Sequence, residues 1–162
     1  MEFVHVELKR DTWFKPHKKI QNEEEAIEFV RQMIGNLDRE VIIVIFTAES
    51  GQVINASICS IGSESAVICS VSEILRTALL AGANNIILCH NHPSGSKTAS
   101  MEDLQITKKL ALSCRFMDIT LLDHILIAGT ETVSFRQEYR DVLDTSGFDL
   151  PELLNLGKQH NN

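Results

Sequence analysis

The chain has 162 residues, 44% of them hydrophobic and 23% charged, with only 8 Gly and 3 Pro. This is the composition of a globular domain and excludes collagenous, low-complexity and largely disordered classes. Fifteen Lys and Arg against 22 Asp and Glu leave a net charge of −7, so the molecule as a whole repels a phosphate backbone and nucleic-acid binding needs a local basic patch.

That patch is an amino-terminal arm. Residues 1–19 carry Lys9, Arg10, Lys15, Lys18 and Lys19 against Glu2, Glu7 and Asp11. Only Trp13 and Phe14 stand near these charges, so the arm lacks the aromatic interleaving of a single-strand binder and reads as a solvated edge. A first helix is predicted next: Asn22 caps it, three glutamates fill its first turn, Ala26, Ile27, Val30, Met33 and Ile34 form its apolar stripe, and Gly35 stops it. Val41–Phe46 is apolar on both faces, which predicts a central strand. The turn Glu49-Ser50-Gly51 leads into a second strand over Gln52–Cys59, and Ala66–Cys69 predicts a short third one. Ser70-Val71-Ser72-Glu73 has the form of a capping box, followed by a helical stripe of Ile74, Leu75, Ala78, Leu79 and Ala81 up to Gly82. Ile86–Cys89 resumes the sheet, and the chain passes into His90-Asn91-His92-Pro93-Ser94-Gly95, where a loop is expected. Ser100 caps a helix over Met101–Cys114, and Ile119–Ala128 is a strand pair or a long strand broken by Asp123-His124. A short helix and a polar end complete the chain from Gln137. Alternating helices and strands give an α/β class, with helices on both faces of a mixed sheet.

The four cysteines, Cys59, Cys69, Cys89 and Cys114, stand 10, 20 and 25 residues apart, without a CxxC pair, and read as buried thiols. No secretory signal pattern opens the chain, and no apolar run approaches the roughly 18 residues that span a bilayer. The expectation is a cytoplasmic protein with reduced thiols and no membrane contact.

His90 and His92 lie two apart at a strand end, so strand alternation aims both imidazoles to one side. Seven residues later Ser100 opens a helix, and Asp103 in its first turn can swing back over the strand end. Two nitrogens and one carboxylate suit zinc, with a fourth position open as in a catalytic site. Each residue alone has a plainer reading: a surface or core histidine, or a capping pair of Ser100 with Asp103. Together, at one strand-to-loop-to-helix transition, they point to metal. An HNH nuclease is excluded because its three motif residues stand far apart on a ββα unit.

The spacing His90-x-His92-x7-Ser100-x2-Asp103 resembles the signature of the JAMM (MPN-plus) metalloproteases. The strings HNHPSG, LLDHILIAG and VSFRQE resemble the RadC branch of that family. The resemblance covers residues 22–140, leaving an arm over 1–21 and a carboxy-terminal helix and polar tail over 141–162. It implies a cytidine-deaminase-like α/β/α fold, zinc held by His90, His92 and Asp103, and Ser100 near the oxyanion. It also implies a glutamate general base on an early strand. Glu40, at the mouth of the Val41–Phe46 strand, matches that place, with Glu49 in reserve and Glu64 a further competitor.

The chemistry implied is hydrolysis of a peptide or isopeptide bond in a peptide or protein substrate by a zinc-activated water. Deamination is excluded, because the His-x-Glu and Pro-Cys-x-x-Cys signature of cytidine deaminases is absent. The alternative is an accessory, non-catalytic RadC-like protein in DNA repair, recombination or mobile-element biology, with nucleic acid as its partner. Asp123-His124 either supports a zinc ligand or ties the strand to a loop. Asn91 and Ser94 shape the loop through backbone hydrogen bonds. A homo-oligomer is compatible with the sequence.

Overall fold

The computed structural model describes residues 19–35, 37–61 and 70–147. Helix α1 covers Glu23–Ile34, and Asn22 caps it by accepting from Glu25 N. Strand β1 comes next over Val41–Thr47 and β2 over Val53–Ile61. The turn between them requires Gly51, which has φ +81 and whose Cβ, if present, would stand 2.3 Å from the carbonyl oxygen of Ile20. Helix α2 is Val71–Ala81, strand β3 Asn85–Asn91, helix α3 Met101–Phe116, strand β4 Thr120–Ala128 and strand β5 Glu131–Ser134. Two four-residue helices, α4 at Phe135–Glu138 and α5 at Arg140–Leu143, close the described chain.

The five strands form one mixed sheet in the order β2-β1-β3-β4-β5. Only β3 and β4 are parallel, and parallel neighbours need a crossover, which α3 supplies. One face packs on α1 through Phe29, Val30 and Ile34 against Ile43, Ile45, Ile87, Cys89, Ile125 and Ile127. The other packs Val44, Phe46, Ile86 and Leu88 against Ile74 and Ala78 of α2 and Leu110, Ala111 and Cys114 of α3. The architecture is therefore α/β with a mixed sheet between helical layers, as the sequence implies.

Several local readings differ. Strand β3 does not end at Cys89: His90 pairs with Ile42 on one side and Leu126 on the other, and Asn91 pairs with Ile127. Neighbouring strands satisfy this backbone until Pro93, which has no N–H to offer. Asp123-His124 does not break β4. The strand runs through it, and the register shifts opposite Ile86/Ile87 so that Leu122 is skipped. The predicted capping box at Ser70 does not form, because Ser70 Oγ bonds Ser72 Oγ at 2.7 Å. A capping box forms instead at Ser100 and Asp103. Strand β5 is not foreseen by the sequence reading. Cys89 and Cys114 are buried, while Cys59 is only half-buried; burial lifts the Cys114 thiol to about 12. Arm residues 1–18, Glu64, the Ala66–Cys69 strand and the tail beyond residue 147 lie outside the described residues. Among the described residues no helix is long and apolar enough to cross a membrane.

Phe46 is fully buried in the layer beneath α2 and α3. Phe46→Ala is expected to cost about 3–5 kcal/mol in denaturant unfolding through lost burial and the cavity left behind; a loss below about 1 kcal/mol would contradict the packing described.

Candidate metal centre

The site sits where β3 runs out and α3 begins. Residues alternate along β3, so Ile86, Leu88 and His90 share the α2/α3 face while Ile87, Cys89 and Asn91 share the α1 face. His92 lies just past the strand end, held by its N–H donating to Ile127 O at 2.8 Å, and a turn closes with Gly95 N donating to His92 O. The loop then returns to Ser100, the N-cap of α3. This route puts Asp103, in the first turn, back over the two histidines.

His90, His92 and Asp103 are brought together with their ligand atoms all within 4.8 Å of one another. His90 Nε2 lies 3.1 Å from His92 Nε2 and 3.4 Å from Asp103 Oδ1, and His92 Nε2 lies 3.6 Å from Asp103 Oδ2. Ligand atoms around a tetrahedral zinc, at bond lengths of about 2.0–2.2 Å, stand about 3.3–3.5 Å apart. Each imidazole stands near a different oxygen of Asp103, and with one oxygen as ligand the three atoms lie within 4.8 Å of one another, a looser set than a bound ion would draw together. The outer nitrogens are also engaged: His92 Nδ1 bonds Ser96 O at 2.9 Å, and His90 Nδ1 meets His124 Nε2 at 2.7 Å. Such outer-shell bonds orient metal-binding imidazoles.

Asp103 is anchored from below. Its Oδ2 accepts from Ser100 N at 2.8 Å and from Ser100 Oγ at 2.6 Å, while Ser100 Oγ accepts from Asp103 N at 3.1 Å. Burial would raise the Asp103 pKa, but the neighbouring His90 and His92 imidazoles and the Ser100 hydroxyl outweigh it and hold the carboxyl well below the usual range. The hydrogen bond with Asp103 raises the His92 pKa against the opposing effect of burial, and the charges of Asp103 and Glu40 add to the rise.

Glu40 is exposed and precedes β1. Ile42 faces His90 in the antiparallel pair, and Glu40 lies two residues before it, just outside β1 on the side of the strand end that leads to His92. Asn91, 3% exposed, grips this segment: its Oδ1 accepts from Val41 N at 2.8 Å and its Nδ2 donates to Arg39 O at 3.0 Å. Asn91 therefore fixes the backbone on both sides of Glu40 rather than shaping its own loop. Ser94 does serve the loop, accepting from Ser96 N at 3.3 Å. Glu49 sits at the other end of the sheet, where its N–H bonds Asn84 and where Thr47 pairs with Asn85. Five strand steps, about 17 Å, separate that end from His90.

The Asp123-His124 pair divides its labour. His124 shares the α3 face and supports His90, with its other nitrogen 2.6 Å from Thr107 Oγ1. Asp123 faces the α1 side and ties β4 to the end of β5 and the start of α4, accepting from His124 N, Arg136 N and Ser134 Oγ at 2.6–2.9 Å. Phe135 stacks on His124 with centroids 4.1 Å apart, and Tyr139 stacks on Phe135 while its hydroxyl accepts from Ala99 N. Thr107, Phe135 and Tyr139 are supports that the sequence reading does not single out.

A family model described as the RadC-like JAB domain matches residues 20–140. Three bacterial relatives named UPF0758 protein are similar to the chain. One from Flavobacterium johnsoniae is 37% identical over 75% of this chain and 53% of its own length. One from Clostridium acetobutylicum is 38% identical over 77% and 57%. One from Aquifex aeolicus is 34% identical over 82% and 58%. The chain thus spans little more than half the length of the curated relatives it matches.

Asp123→Ala strands three donors behind His90 without touching a ligand atom. It is expected to lower unfolding free energy by about 1–3 kcal/mol while leaving the metal content of the purified protein equal to that of the wild type; a lower metal content in a folded Asp123→Ala protein would contradict the division of roles.

Proposed function

The chain belongs to the RadC-like JAB domain family, and on that premise we propose that it is a zinc-dependent hydrolase of the JAMM type, acting on a peptide or isopeptide bond. The observation that carries the reading is the convergence of His90 Nε2, His92 Nε2 and the Asp103 carboxylate at separations of 3.1–3.6 Å. Each histidine also has its other nitrogen bonded. His90, His92 and Asp103 would hold the ion.

When bound, zinc polarises a scissile carbonyl and lowers the pKa of a water toward about 7. The chain supplies the rest. Glu40 accepts a proton from the attacking water and delivers it to the departing amine nitrogen. Two features support that assignment: its charge acts on His92, and Asn91 holds the residues on either side of it. Ser100 donates its hydroxyl proton to the developing oxyanion. Asp103 Oδ2 then keeps the Ser100 backbone N–H, so the ligand stays anchored during the exchange.

The partner is a peptide or protein substrate. Nucleic acid is disfavoured by the net charge of −7, and the basic cluster that argues for it, Lys9, Arg10, Lys15, Lys18 and Lys19, lies in the arm. The buried thiols Cys89 and Cys114 suit the reducing cytoplasm.

His92→Ala should lose zinc that the wild type carries at about one equivalent, read by metal analysis of the purified proteins. Glu40→Gln should keep its zinc and lose turnover of a peptide-bond substrate by about 100-fold or more, the low end of a general base's contribution. Equal zinc in the wild type and His92→Ala would overturn the site; undiminished turnover in Glu40→Gln would overturn the base.

A further inference from the structure

We propose that Thr107 and His124 are positioning residues that fix the proton on the ligand His90, through one chain of hydrogen bonds that begins and ends on metal ligands. The inference deepens the metal-site reading and rests on it. It is carried by three contacts whose donors and acceptors permit one consistent arrangement.

Thr107 Oγ1 stands 2.5 Å from the carbonyl oxygen of Asp103. A carbonyl only accepts, so the single hydroxyl proton goes there. A threonine bonded to the carbonyl four residues back is common in helices, and alone it would mean nothing more. Yet Thr107 Oγ1 also stands 2.6 Å from His124 Nδ1. With its proton already committed, the oxygen accepts, and His124 carries a proton on Nδ1. His124 is 2% exposed, and neither ring nitrogen has a carboxylate partner among the described residues. A His90 that ligates through Nε2 keeps that nitrogen bare and its single proton on Nδ1, and only one proton fits between Nδ1 and His124 Nε2, so His124 Nε2 bears a lone pair. The 2.7 Å contact between His124 Nε2 and His90 Nδ1 is then a bond donated by His90. A neutral His90 with its proton on Nδ1 presents a bare Nε2 toward His92 and Asp103.

The opposite setting shows what Thr107 contributes. If His124 carried its proton on Nε2, it would donate to His90 Nδ1 and force the His90 proton onto Nε2, where a ligand must be bare. Thr107 blocks this by offering an acceptor to His124 Nδ1 and nothing else. Phe135 stacks on the His124 ring and holds its plane. The main chain of one ligand, Asp103, thereby sets the tautomer of another, His90.

The test uses the full chain, loaded with zinc, as wild type, Thr107→Val and Thr107→Ser. Zinc affinity is read by competition with a chromophoric chelator, and the imidazole protons are located by long-range proton–nitrogen NMR. The expected result is a proton on Nδ1 of both His90 and His124 in the wild type. Thr107→Val should bind zinc about 10–100-fold more weakly, and Thr107→Ser, which restores the hydroxyl, should recover the wild-type affinity. Wild-type protein that binds no zinc overturns the metal reading and this inference together. Zinc held equally tightly by wild type and Thr107→Val overturns the positioning role alone. If Thr107→Val does not fold, the wild-type spectrum decides, and a proton on Nε2 of His124 overturns the proposal.

Discussion

The parallel pairing of β3 and β4 is the constraint on which the rest of the site depends. Two parallel neighbours cannot be joined by a hairpin, so the chain must leave the end of β3, cross over and re-enter at the start of β4. The crossing element is α3. Its first turn is thereby obliged to stand above the end of the strand it has just left, which is the place where open α/β sheets offer a crevice for ligands. Asp103 over His90 and His92 is that obligation expressed in side chains. The same pairing lays His124 diagonally beside His90, because Leu88 faces His124 and His90 faces Leu126.

Alternation along the strands then does the sorting. Each of the two parallel strands carries one adjacent polar pair, His90-Asn91 on β3 and Asp123-His124 on β4, and each pair splits between the faces. The histidines go to the α3 side and make the centre. Asn91 and Asp123 go to the α1 side and act as clamps, one on the segment leading into β1 and the other on β5 and α4. Four polar residues in an apolar sheet are tolerated because every one finds partners. The clamps fasten the approaches to the site, so the ligands and the residues around them are held by opposite surfaces of one sheet.

The ligand set was legible in the sequence because it is local: His90, His92 and Asp103 fall within fourteen residues of one strand-loop-helix passage. Helix α1 and strand β1 were legible because cap, charge and apolar pattern agree there. What escaped depended on contacts distant in sequence. Thr107 looks like any helical threonine until β4 brings His124 against it. Strand β5 has four residues and one buried apolar side chain, Val133, too little for a periodic signal. The end of β3 was misjudged because His90 and Asn91 are polar, while their backbone is paired from both sides. Ser70 and Ser100 offer similar capping patterns, and only the second forms its box. The first has its hydroxyl taken by Ser72.

The capping box at Ser100 makes one carboxylate serve two purposes. Asp103 closes the first turn of α3 and also faces the two imidazoles. That turn cannot fray without withdrawing a ligand, and a ligand cannot swing away without uncapping the helix. Local opening of this segment and departure of a bound ion would thus be a single event, and anything that binds the closed form would shift both by mass action. An ion at His90, His92 and Asp103 would act as a fastener for the start of the crossover helix, and hydrogen exchange in that turn would track its occupancy.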